Sequence, residues 1–200
     1  MALKFANNNS LSAITSTPSG VGGGSMALIS TQTASSSSTI DFTSGIDSTY
    51  KEYIFKFINI HPATDATNLT FQADTGTNTN YNQTMTTTYF RSYHYEDGST
   101  EGLGYRTPDD QAQGTSFQKL GQSGNGNDEC VSGTLHLFDP SSSTFVKHFI
   151  ATINEHHASN ISQNNFIAGY FNTTTAITRL QFKFASGNID SGVIKLYGVS

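Results

Sequence analysis

Arg179-Leu180-Gln181-Phe182-Lys183-Phe184 alternates polar and large apolar side chains without a break. On an extended backbone alternate side chains face opposite ways, so Leu180, Phe182 and Phe184 share one face and the polar residues the other. Upstream, Tyr53, Phe55 and Phe57 alternate with Glu52, Ile54 and Lys56 in the same manner, and Leu135 and Leu137 flank His136. Further strand signals bring the expected set to Met26–Thr33, Ser38–Phe42, Tyr53–Ile60, Asn68–Ala73, Thr84–Tyr93, Val131–Phe138, Thr144–Ile153, Phe166–Phe171, Ile177–Phe184 and Gly192–Val199. His61-Pro62-Ala63, Asp139-Pro140-Ser141-Ser142-Ser143 and Ser186-Gly187-Asn188 have turn chemistry between them, and the second reads as a hairpin. Many short strands at such spacing predict an all-β protein, a jelly-roll-like antiparallel β-sandwich. In Thr144–Ile153 both faces are apolar, Phe145, Phe149 and Ile153 against Val146 and Ile150. Such a strand is expected to be central or to touch another subunit.

Composition agrees. Hydrophobic residues make up 35% of the 200, which is low, but aromatics at 12% (14 Phe and 9 Tyr) supply the burial that Ser and Thr lack. Charged residues are only 12% and the net charge is -5, so no basic stripe exists for a phosphate backbone and nucleic acid is not an expected partner. No apolar run approaches the ~20 residues of a spanning helix, so membrane insertion is not expected either. Cys130 is the single cysteine, which excludes an internal disulfide and a Cys-rich zinc site.

Two segments depart from the strand rhythm. Residues 1–25 scatter Leu3, Phe5, Leu11, Ile14 and Val21 among Asn, Ser and Gly with no lasting period, and are expected to form an extended N-terminal arm that docks on a partner. Residues 26–200 form the sandwich domain. His94 to Glu129 is rich in Gly, Asp, Gln and Asn and reads as a long loop with a role in contact. The residues expected to touch a partner are the five apolar residues of the arm together with Tyr95, Tyr105 and Phe117.

Catalytic chemistry has little to stand on. Glu155-His156-His157 is the most metal-like cluster, yet adjacent histidines on an extended chain point apart, and an exposed polar loop is the better reading. His61, His94, His136 and His148 are isolated in sequence, although His136 and His148 are expected to approach across the hairpin. No Gly-x-Ser-x-Gly elbow occurs. Asp109-Asp110 and Asp128-Glu129 are loop carboxylates suited to calcium but lack a calcium-loop spacing. No cofactor is implied, and the chain is expected not to be an enzyme. Tyr89, Phe90, Tyr93, Tyr95 and Tyr105 suggest a second reading, a stacking platform for a host-surface glycan.

Several strings carry a resemblance. Gly45-Ile46-Asp47-Ser48-Thr49-Tyr50-Lys51-Glu52-Tyr53, Asn59-Ile60-His61-Pro62-Ala63-Thr64-Asp65, the stretch from Leu137 to Ile150, Phe166 to Thr174 and Phe182 to Gly198 resemble a group of marine tailed-phage virion proteins. The similarity covers nearly the whole chain, including Ser10-Leu11-Ser12-Ala13-Ile14-Thr15. It implies a virion location and a structural role, as a capsid-decoration or tail-appendage subunit, and no catalytic residues. The expected partners are further copies of the chain, as a homotrimer, and other virion proteins. The alternatives are a tail-fibre or receptor-binding role, or a carbohydrate-binding β-sandwich module.

Overall fold

A computed structural model describes residues 26–200. Among them are twelve strands: β1 (Met26–Ser37), β2 (Ile40–Phe42), β3 (Glu52–Pro62), β4 (Thr67–Thr75), β5 (Met85–Tyr95), β6 (Glu101–Tyr105), β7 (Gln118–Ser123), β8 (Val131–Phe138), β9 (Lys147–His157), β10 (Ile161–Phe171), β11 (Ile177–Phe184) and β12 (Ile189–Val199). They build an eight-stranded sheet in the order β1-β12-β3-β8-β9-β10-β5-β6 and a four-stranded sheet in the order β2-β11-β4-β7. Every pairing is antiparallel. The two sheets pack face to face as a β-sandwich, and no helix is present among the described residues.

The core lies where the aromatic faces meet. Phe182 of β11 sits among Phe42, Phe55, Phe57 and Phe71, with ring centroids 5.2–6.3 Å apart; Phe42 and Phe57 meet it edge-on, Phe55 is tilted and Phe71 is stacked. Phe71 leads on to Phe149 at 5.1 Å and Phe171 at 6.2 Å. Edge-to-face rings add about 0.5–1.5 kcal/mol per pair to their burial. This is how a Ser/Thr-rich chain fills a sandwich. Toward one end the large sheet bends, because register shifts at Phe57/Ile60 in β3 and Ser191/Val193 in β12 lie beside each other. Gly192, at φ +119°, supplies the left-handed conformation that bend requires.

All ten expected strands are present, β8 and β11 with the expected bounds and the others with shifted ends. β9 begins at Lys147, which leaves Phe145 outside the strand and exposed, and it runs on to His157. Glu155-His156-His157 is therefore strand and not loop, and Glu155 is buried. The segment His94–Glu129 is not one loop. It holds β6, which extends the large sheet, and β7, which forms an edge of the small one. Neither is legible in the sequence, because both offer little alternation: β6 is largely exposed, and β7 buries Gln118 and Ser123 beside Leu120. The arm proposed for residues 1–25, with Leu3, Phe5, Leu11, Ile14 and Val21, lies outside the described residues.

Candidate functional site

Two surfaces of the β9–β10–β5 region differ sharply in chemistry. The outward positions of β8, β9, β10 and β5 contain no Asp, Glu, Lys or Arg; their titratable side chains are histidines and Tyr170. Register aligns Thr152, Phe166, Phe90 and Tyr105 in one row across β9, β10, β5 and β6. Phe90 and Phe166 stack face to face, centroids 4.8 Å apart and 12° between planes. The next row holds His136, Ile150, Ala168 and Thr88. His148 and Tyr170 pair in the row beyond, with rings 5.9 Å apart. Ile150 is 50% exposed and Phe90 41%, so these are apolar groups facing solvent.

At the margin of that face Phe145 is 69% exposed, yet its backbone is held. Its N–H donates to Ser142 Oγ at 3.0 Å, and its carbonyl accepts from Lys147 Nζ at 2.8 Å. Lys147 is itself buried, donates also to the Thr173 carbonyl at 3.1 Å, and is pulled below its ordinary pKa by that burial. The lysine acts as a strut between two loops.

The inward side of the same strands changes from apolar to polar toward the His157 end. Glu155 Oε2 accepts hydrogen bonds from the backbone N–H of Gln122 at 2.6 Å and from Asn165 Nδ2 at 2.8 Å. Its Oε1 accepts from Gln163 Nε2 at 2.6 Å, and Gln163 in turn meets the Arg91 guanidinium. Asn165 Nδ2 also donates to the Leu120 carbonyl at 3.2 Å. Side chains of the large sheet thus satisfy backbone groups of β7, an edge strand of the small sheet. A Cβ at Gly121 would lie 2.2 Å from Glu155 Oε2, so only glycine lets the carboxylate come this close. Burial raises the Glu155 pKa to about 8, against the opposing pull of its donors and of Lys119 and Arg91. Sequence contained a signal for this residue: it continues the inward phase of Phe149, Ala151 and Ile153. The network is enclosed and mutually bonded, which suits joining two sheets.

Of the residues expected to meet a partner, Tyr95, Tyr105 and Phe117 are among those described. Tyr105 is exposed and its hydroxyl donates to Asp110 at 2.5 Å. Asp110 and Phe117 line a cleft of ≈ 520 Å³ on the 106–119 segment. Tyr95 stands at the end of β5 against Tyr93, rings 6.2 Å apart. The proposed platform is also divided: Tyr89 is buried on the inward phase, whereas Phe90 faces out. His136 and His148 take separate partners, Glu52 at 2.6 Å and the Tyr170 ring. Asp109 is engaged by Arg106 at 3.2 Å and Lys119 at 3.4 Å, and no cluster of three metal-competent side chains occurs among the described residues. The stacked Phe90–Phe166 pair was missed because its partners are far apart in sequence and only strand register brings them together.

Compared with family models, with curated proteins and with solved structures, the chain matches none of them.

Proposed function

We propose that this chain is a non-enzymatic structural protein of a tailed-phage virion, a jelly roll assembled as a homotrimer and docked to the particle by residues 1–25. The observation that carries the reading is the nesting of its strand pairs. With the β5–β6 and β9–β10 hairpins set aside, the remaining eight strands pair first with last, β1 with β12, then β2 with β11, β3 with β8 and β4 with β7. Successive strands of that set also alternate between the two sheets, except at the middle of the set, where β4 and β7 share the small one. That is the pattern of a folded-over hairpin, the jelly roll common to capsid and lectin domains. The resemblance of the chain to marine tailed-phage virion proteins favours the capsid or tail branch, and the uncharged sheet face favours symmetric contacts. Mass spectrometry of washed particles, followed by a cryo-EM map, is the test. The chain is expected in stoichiometric amounts with density for three copies around an axis. Its absence from washed particles would overturn the virion reading.

A second reading, a carbohydrate-binding module, draws on the cleft where Phe117 lies near Asp109, Asp110 and Gln111. Against it, one face of the Phe117 ring is already capped by Lys183 Nζ at 4.0 Å, which leaves a single face for a sugar. Binding on a glycan array that is lost in Phe117→Ala favours this reading; no binding removes it.

A further inference from the structure

We infer that the outward face of β8, β9, β10 and β5 is the surface on which a second copy of this chain packs. This deepens the homo-oligomer part of the reading above by assigning the contact, and it rests on that part alone.

Three observations carry it. First, area: four strands about 4.8 Å apart and about ten residues long at ~3.3 Å each span roughly 600 Å² before side-chain relief. That is close to the ~800 Å² that each partner contributes to a standard protein interface. Phe145 and Tyr105 add to it at the margins. Second, composition: the centre of the face is stacked aromatic and aliphatic, Phe90, Phe166, Ile150 and Tyr170, and free of acids and lysines. Depletion of charge with enrichment of aromatics marks the core of an interface rather than an open sheet. Third, charge: the chain carries -5 overall, so a face holding its share of carboxylates would repel a copy of itself. A face without them lies against another copy free of carboxylate repulsion. The rigidly held backbone of Phe145 also lowers the entropy lost when its ring is covered.

Sedimentation equilibrium and light scattering on the full 200-residue chain test this. The wild type is expected at two or three times 21.5 kDa. Ile150→Glu and Phe166→Glu each place a carboxylate at the centre of the face without touching the core. Both are expected to run at 21.5 kDa, with dissociation constants raised at least 100-fold and with unchanged circular dichroism. Ile58→Glu, an exposed apolar site on β3 outside the four strands, is the control and is expected to stay oligomeric. A wild type that is monomeric at all concentrations overturns the inference, as do folded face variants that remain oligomeric. Should removal of residues 1–25 turn a monomer into an oligomer, the face belongs to the chain's own N-terminal segment and the inference falls. Particle incorporation is scored separately. A monomer found in virions refutes this contact only; an oligomer absent from virions refutes the virion role only.

Discussion

Glu155 is held by opposing forces. Enclosure between β9, β10 and β7 disfavours its charge, while three hydrogen-bond donors and the fields of Lys119 and Arg91 favour it; the first prevails, and the pKa rises to about 8. A carboxyl whose folded pKa exceeds the unfolded value keeps its proton longer in the fold. Its contribution to stability is therefore full below the ordinary glutamate value of 4.5 and is withdrawn as pH rises from there through about 8. Each unit of mismatch is worth about 1.4 kcal/mol, and about 1 kcal/mol moves Tm by roughly 2–4 °C in a chain of this size. Glu155→Gln removes the titration while keeping the shape. The Tm of wild type minus that of the variant should be greatest near pH 5 and shrink by several degrees toward pH 8.5. Thermal melts at both pH values check this, and a gap that stays constant or widens with pH would contradict it.

At the scale of the element, β11 shows why a few strands were readable and others were not. Its apolar phase is unbroken, and Phe182 contacts rings from β2, β3 and β4. Truncating such a buried ring usually costs about 3–5 kcal/mol, out of a total stability of about 5–15 kcal/mol. Phe182→Ala should therefore lower the urea midpoint substantially with an unchanged m-value, and a loss below ~1 kcal/mol would mean this ring is not central. Strands of this type, β3, β8 and β11, are legible because apolar side chains alone mark their inner faces. β7, the start of β10 and the end of β9 bury Gln118, Gln163, Asn165 and Glu155 instead. Polar groups become buried here only because tertiary structure brings their partners within reach, and no local pattern records that. The outer face was half legible: the two-faced pattern around Ile150 was visible, but its continuation through Phe166 and Phe90 depends on register. The separation of Tyr89 from Phe90 follows from the period of the strand, and that alone divides the aromatic set.

For the whole molecule, the described fold begins at residue 26, and the proposed docking role falls on residues 1–25. β1 starts at Met26, which pairs with Val199 on β12, so the first and last described strands close on each other. The aromatic cluster around Phe182 and the Glu155 network are both contained within residues 26–200. Removal of residues 1–25 should therefore leave a cooperatively melting domain with the circular dichroism of a β-sandwich. Incorporation is a different matter, since an arm with Leu3, Phe5, Leu11 and Ile14 as anchors would supply contacts that the sandwich does not. Particles produced with only the truncated chain should carry little or none of it, while the soluble truncated protein retains its oligomeric mass. Those two readouts separate the arm from the sheet face, because in the proposed assembly the face acts between copies and the arm between the assembly and the particle. Truncated protein that enters particles in wild-type amounts would remove the docking role from residues 1–25 and move attachment onto the sandwich. The exposed margin around Leu103 and Tyr105 would then be the next surface to alter.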